Sequence, residues 1–199
     1  MNSDSRIPRG ADAQAAPATN PKADLRKRLL NARLAIGDDS RALWNGEICA
    51  RALAWCAVRE VTVLGVYWPL RGEPDLRPAY TELAARGVRL ALPVVLEKDA
   101  PLAFADWIPG EAMVRDGMGV AVPSRLRIVA RPPALLVPCL GFNGERLRLG
   151  YGGGFYDRTL APAPRPATLG VAYACLALDF AGDAHDIALD NIVTEAGVL

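Results

Sequence analysis

Residues 146–158 read R-L-R-L-G-Y-G-G-G-F-Y-D-R, so Gly150, Gly152, Gly153 and Gly154 lie among Arg146, Arg148 and Arg158, with Asp157 just behind. Glycine leaves backbone N–H groups bare. Where such a loop runs into a helix start, those amides converge on an anion and the helix's positive end adds to the attraction. The flanking guanidinium groups suit phosphate oxygens. A carboxylate beside a polyphosphate is repelled unless a divalent cation bridges the two, which is Mg2+ chemistry. The string fits neither standard phosphate fingerprint: a P-loop needs Lys-Ser/Thr where Phe155-Tyr156 stands, and the dinucleotide pattern needs a glycine in place of Phe155. Composition alone leaves a second reading open, a tight turn or bulge that uses glycine for positive φ. The arginines and Asp157 favour a site for a metal-bound nucleoside triphosphate.

Other residues could serve the same site. Lys22, Arg26 and Arg33 recur along one stripe of a first helix, bordering its apolar stripe of Leu25, Leu29, Ala32 and Ile36. This puts the cations at the rim of whatever the helix docks on, or on a solvated face. Glu73 sits in a loop just past an apolar run, where α/β proteins place ligands, and a carboxylate there accepts from adjacent ring N–H groups. The alternative is a solvated loop acid, with Asp75 as a fallback anchor. Tyr67, Trp68, Phe155 and Tyr156 could stack on a flat ring or serve as core aromatics. His185, the only histidine, is read as a loop residue without a catalytic role.

Cys49, Cys56, Cys139 and Cys175 form no C-x-x-C pair, and one histidine makes a zinc site untenable. All four are read as small buried hydrophobes, and free thiols fit a cytoplasmic location. A net charge of +1 supplies no global field for nucleic acid or acidic lipid. No apolar run reaches the ~20 residues of a membrane span.

These groups must be positioned by the rest of the 199 residues, of which 51% are hydrophobic. Residues 1–20, rich in Ala, Pro, Asn, Ser and Asp, read as an unstructured leader, and residues 21–199 as a single α/β domain. Asn20-Pro21 marks a helix start, and Gly37 its close. Asp38 to Ser40 caps a second helix to about Cys56, with Trp44, Ile48, Ala52 and Trp55 inward. The β-branched run 61–68 reads as a strand buried on both faces, followed by a helix ending at Gly87 and a strand at 88–95. That strand–helix–strand unit predicts a parallel sheet. Residues 102–107 read as an edge strand, and 134–138 as a buried strand feeding the glycine loop directly. Residues 156–160 form a short helix, 168–174 a strand, and 192–194 the last strand. The class is three-layer α/β/α with a mostly parallel, Rossmann-like sheet.

Several stretches together resemble the 5-formyltetrahydrofolate cyclo-ligase (methenyltetrahydrofolate synthetase) family. They are K-A-D-L-R at 22–26, Y-W-P-L-R-G-E-P-D at 67–75, L-P-V-V at 92–95, the segment 137–160, and H-D-I-A-L-D-N-I-V-T-E at 185–195. The resemblance runs from about Lys22 to Thr194, and the R-L-G-x-G-x-G-[FY]-Y-D string is its most specific part. One departure precedes that string: members often carry F-D-x-x-G-x where this chain has Phe142-Asn143-Gly144-Glu145-Arg146-Leu147. The resemblance implies a layout shared with sugar-phosphate isomerases and CoA-transferases. It also implies ATP-driven closure of 5-formyltetrahydrofolate to 5,10-methenyltetrahydrofolate, with phosphorylation of the formyl oxygen and release of ADP and phosphate.

Carried over by position, ATP would meet Lys22, Ala23, Asp24, Leu25 and Arg26, and the loop Arg148, Leu149, Gly150, Tyr151, Gly152, Gly153, Gly154, Phe155 and Tyr156. The folate would meet Trp68, Glu73 and the run Tyr151 to Phe155. Mg2+ would be held by Asp157 and Asp186, while Arg148, Lys22 and Arg26 would carry the phosphoryl charge. The expected partners are small molecules alone, and the expected state is a monomer. Two rivals stay open on sequence: a sugar-phosphate or coenzyme-A enzyme of similar layout, and a non-catalytic folate- or nucleotide-binding regulator.

Overall fold

The structure, a computed structural model, describes residues 21–199; the expected leader and the Asn20 cap lie outside the described residues. Buried positions alternate along the inner strands. In β2 (Arg89–Val94), Leu90 and Leu92 join one core cluster and Ala91 the other; in β7 (Ala134–Pro138), Leu136 joins the first, Leu135 and Val137 the second. Successive strand side chains point to opposite faces, so these are two cores on the two sides of one sheet. The first core also holds Leu29 of α1 (Pro21–Leu34), Ile48, Ala52 and Trp55 of α2 (Asp38–Val58), and Tyr80 and Leu83 of α3 (Arg77–Ala85). The second takes Leu160 of α4 (Phe155–Leu160). The three-layer expectation is thereby met.

The main sheet has eight strands in the order β12-β11-β10-β7-β1-β2-β3-β6. Its centre is parallel: β11 (Asn191–Thr194), β10 (Ala167–Val171), β7, β1 (Val63–Gly65) and β2. Chain order runs one way from β1 to β2 and the other way from β7 through β10 to β11. The direction therefore reverses between β1 and β7, and the crevice beyond their carboxyl ends is where such sheets take ligands.

Several boundaries differ from expectation. The strand expected over 61–68 is only Val63–Gly65, because beyond it the chain leaves the sheet for the Glu73 loop, although the Val66 amide still donates to the Ala91 carbonyl at 2.9 Å. The strand at 102–107, β3 (Ala103–Trp107), is not the edge: it runs antiparallel to β2 and is itself covered by β6 (Ile128–Val129). The hairpin β4 (Met113–Arg115) and β5 (Ala121–Pro123) and the two-residue β12 (Gly197–Val198) went unforeseen. β7 does not feed the glycine loop directly. A second hairpin, β8 (Gly141–Phe142) and β9 (Arg148–Leu149), intervenes. At its tip the positive-φ residue is Arg146, held by its guanidinium on the Leu189 carbonyl, so Gly144 is not the residue that bends this turn.

Gly37 does not close α1 through a left-handed turn. Its φ is −64°, and it serves instead as the cap of α2, which runs to Val58. On α1 the inward stripe also differs, since Ala32 is exposed and Arg33 is fully buried. The four cysteines are not alike either: Cys49, Cys56 and Cys139 are buried, whereas Cys175, in a 3-10 turn, is exposed.

Candidate functional site

The glycine loop leaves β9 and ends in α4. Gly152 has φ +93° and Gly154 φ +64°, a region that side chains with a Cβ avoid, whereas Gly153 stays at negative φ. Gly154 caps α4 in the left-handed conformation and turns the chain so that Asp157 enters the first helical turn. Glycine is used here for backbone shape, as the turn reading expects, and the shaped backbone faces a cavity of about 730 Å3.

That cavity opens at the sheet's switch point. Tyr67, Trp68 and Glu73 line it from the β1 side, and the run Leu149 to Arg158 lines it from the β7 side. Lys22 and Arg26 reach it from α1, and Asp183, His185 and Asp186 from the loop before β11. Of the α1 residues expected at the ATP site, only these two line the cavity: Ala23 and Asp24 are exposed and Leu25 packs on the core. A helix turn offers one face to a pocket, and Lys22 and Arg26, at i and i+4, share it.

The cationic wall is arranged through specific contacts. Arg26 Nε donates to the Gly150 carbonyl at 3.0 Å, fixing the loop's start. Lys22 Nζ donates to Asp183 at 2.6 Å and to Asp186 at 2.9 Å. Asp186 also accepts from the Asp183 amide at 2.8 Å. Against partial burial, that amide and the Lys22 ammonium hold the Asp186 carboxyl below its usual range. Arg148, on β9, is 8% exposed, and its Nη2 lies 2.9 Å from Asp157 Oδ1. The approach lacks hydrogen-bond geometry, so Arg148 Nε and Nη2 stay buried without an acceptor. A buried guanidinium in that state suits an incoming anion.

The opposite wall is built around Glu73, which is 5% exposed. Its Oε2 accepts from the Leu70 amide at 2.9 Å and its Oε1 from the Tyr151 hydroxyl at 3.0 Å. Arg33 Nη2 donates to that same hydroxyl and sits 4.0 Å from Glu73 Oε1, while Arg33 Nε donates to the Arg71 carbonyl at 3.1 Å. Burial pushes the Glu73 carboxyl up, with Arg33, the Leu70 amide and Tyr151 opposing. The solvated-acid alternative is thereby removed. Asp75 is instead spent on Arg77. Trp68 meets Trp107 edge to face at 6.0 Å and carries the Arg77 guanidinium at 5.3 Å, leaving it partly open to the cavity. Tyr67 is a core aromatic whose hydroxyl donates to the Pro74 carbonyl at 2.6 Å. Arg33 is the residue that sequence reasoning misplaced. The signal was available, since Lys22, Arg26, Leu29 and Arg33 recur at i, i+4, i+7 and i+11 on one face.

No three acidic, histidine or cysteine side chains converge on a metal position among the described residues. Asp157 and Asp186 both line the cavity, where they pair with Arg148 and Lys22. Mg2+ is commonly held by one or two carboxylates together with substrate phosphates, and this donor set fits that pattern.

Fold and site together define an α/β ligand-binding protein with an anion wall and a carboxylate–aromatic wall facing each other at a sheet's switch point. Residues 18–195 match the 5-formyltetrahydrofolate cyclo-ligase family, and the chain belongs to that family. A 5-formyltetrahydrofolate cyclo-ligase of Mycolicibacterium smegmatis is 30% identical over 185 residues, spanning 87% of this chain and 93% of the relative. The Escherichia coli K12 enzyme of the same name is 28% identical over 175 residues, 83% of this chain and 96% of its own. A solved 5,10-methenyltetrahydrofolate synthetase of Aquifex aeolicus superposes with a TM-score of 0.77 at 27% identity, covering 89% of this chain and 91% of that one. The Mycoplasma pneumoniae synthetase shares the fold, with a TM-score of 0.74 over 88% of this chain and 99% of its own.

Proposed function

We infer that this protein catalyses the ATP-dependent conversion of 5-formyltetrahydrofolate to 5,10-methenyltetrahydrofolate, releasing ADP and phosphate. The carrying observation is the pairing of walls in one cavity, with buried Glu73 on one side and the glycine loop, flanked by the buried Arg148 guanidinium beside Asp157, on the other. Ring closure must expel the formyl oxygen, and oxide leaves badly from a formamide carbon. That oxygen attacks the γ-phosphorus and ADP departs. The neighbouring side-chain nitrogen then attacks the formyl carbon and loses its proton, and phosphate leaves carrying the oxygen.

The chain's own residues bind and orient. Glu73 anchors ring N–H donors of the folate, with Trp68 and Phe155 as stacking surfaces. Tyr151 and the glycine amides sit between the two substrates. Arg148, Lys22 and Arg26 carry the phosphoryl charge as it develops, which is catalysis by position and charge rather than by covalent chemistry. Asp157 and Asp186 are the carboxylates suited to Mg2+, which when bound neutralises triphosphate charge. We further assign residues 21–199 as one domain acting on small molecules as a cytoplasmic monomer; no helix among the described residues is long and apolar enough to cross a membrane.

Protein incubated with 5-formyltetrahydrofolate, ATP and Mg2+ should generate the near-ultraviolet absorbance of the methenyl product, and omission of ATP should abolish it. Binding of both substrates without any absorbance rise would make the chain a regulator on the same scaffold.

A further inference from the structure

Arg33 is the largest fully buried side chain, at 0% exposure, and it is charged. Burying a guanidinium costs free energy unless its donors and charge are answered. Here the answers are partial. Nε has the Arg71 carbonyl, Nη2 the Tyr151 hydroxyl, and Nη1 has no hydrogen-bond partner. An apolar side chain would pack this helix position without those demands, so the contacts Arg33 makes are the reason to look for its role. Each leads to the folate wall. The Tyr151 hydroxyl that accepts from Arg33 donates onward to Glu73 Oε1, and Tyr151 is the second residue of the glycine loop. Tyr151 is 45% exposed and lines the cavity, and its ring lies 5.6 Å from the Arg33 guanidinium carbon and 5.4 Å from that of Arg71.

We propose that Arg33 is a positioning residue, holding the Glu73 carboxylate and the Tyr151 phenol in one arrangement and so tying the folate anchor on the β1 side to the glycine loop on the β7 side. The proposal rests on the reading of Glu73 as the folate anchor.

A positioning role through charge has a pH signature. Burial raises the Glu73 carboxyl, and Arg33 opposes that most strongly, followed by the Leu70 amide, Tyr151 and Arg71. Tyr67 after β1, Tyr156 on α4 and Cys139 after β7 also feel Glu73, but burial pushes all three far above neutral pH, and Tyr151 up to about 12. Between pH 5 and 9 the charged groups facing Glu73 are therefore Arg33 and Arg71. Without Arg33 the carboxyl takes its proton at higher pH, and a protonated Glu73 cannot accept from the folate ring on both oxygens.

The test measures binding of 5-formyltetrahydrofolate without nucleotide, and of Mg2+-ATP without folate, from pH 5.5 to 9, for wild type, Arg33→Met, Tyr151→Phe, Glu73→Gln and the double variant of residues 33 and 73. Arg33→Met should weaken folate binding about tenfold or more at pH 8 and Mg2+-ATP binding less than about threefold. The pH at which folate affinity has halved should rise by about one pH unit, the scale expected on removing a nearby opposite charge. Tyr151→Phe, at a half-exposed ring that folding tolerates, should move it the same way by less. Glu73→Gln should abolish this pH dependence, and adding Arg33→Met to it should change folate affinity less than about twofold. An unmoved midpoint in Tyr151→Phe, with Arg33→Met either unmoved or unfolded, overturns the proposal. So does an Arg33→Met penalty that persists in the Glu73→Gln background. Unchanged folate binding in Glu73→Gln alone is a different result, for it removes Glu73 as the anchor.

Discussion

At the scale of single residues, Glu73 and Asp157 separate the two walls. Glu73→Gln keeps size but loses the charged acceptor, and charge-assisted hydrogen bonds contribute about 1.5–3 kcal/mol. The folate KM should therefore rise by roughly 10- to 150-fold, while the ATP KM stays within about threefold. Stability carries two opposing contributions. A raised carboxyl contributes stability that is present below its unfolded value of 4.5 and lost as pH rises through the folded one. The Gln variant never carries that buried charge, but it also leaves the buried Arg33 guanidinium 4.0 Å away without its counter-charge. Any loss of melting temperature should therefore be larger in Glu73→Gln than in the variant that also carries Arg33→Met, and thermal melts of the two check this. Asp157→Asn replaces the charged carboxylate with a neutral amide and leaves Arg148 without its counter-charge at 2.9 Å. Turnover should drop by roughly two orders of magnitude or more, with part of the loss restored by added Mg2+. Normal turnover at limiting Mg2+ would remove Asp157 from the metal. Glu73, Trp68, Arg148 and Asp157 were legible as residue types in telling places. Arg33 was legible only in its spacing with Lys22, Arg26 and Leu29; its burial was not, because hydrophobic periodicity assigns charged residues outward and sees no distant carbonyl or phenol waiting for one.

At the scale of elements, the glycine loop is the part whose shape decides whether it can hold phosphate as proposed. Gly152→Ala places a Cβ at φ +93° and within 3.3 Å of the Arg26 guanidinium carbon. Stability should fall by about 1–2 kcal/mol, and ATP affinity should fall with it, since Arg26 also fixes the loop through Gly150. Gly153→Ala meets no forbidden φ but stands 2.9 Å from two Phe155 ring carbons. Its effect should fall on folate binding through the displaced ring, with little loss of melting temperature. Thermal melts and separate affinities for the two ligands on both variants check this, and equal effects would mean the loop is only a turn. The helices and parallel strands were readable because apolar stripes at helical spacing and continuous β-branched runs are local signals. The hairpins β4–β5 and β8–β9 were not, since strands of two or three residues are fixed by their partners and leave little pattern of their own.

The whole molecule explains why the cavity lies where it does and why it needs the full chain. The switch between β1 and β7 was implicit in the strand–helix–strand pattern, but the order of strands across it depends on pairings no local stretch records. Both sheet edges are two-residue strands, β12 and β6, too short to template pairing with another copy. Sedimentation should accordingly give a monomer of 21.2 kDa, and a dimer would call for an interface elsewhere. The Lys22–Asp186 contact, finally, closes a span of 164 residues. A chain emerging from the ribosome makes its first helix early but cannot form this contact until the loop before β11 has followed it out. On the proposed assignment of this wall to ATP, the complete nucleotide site is therefore assembled only late in synthesis.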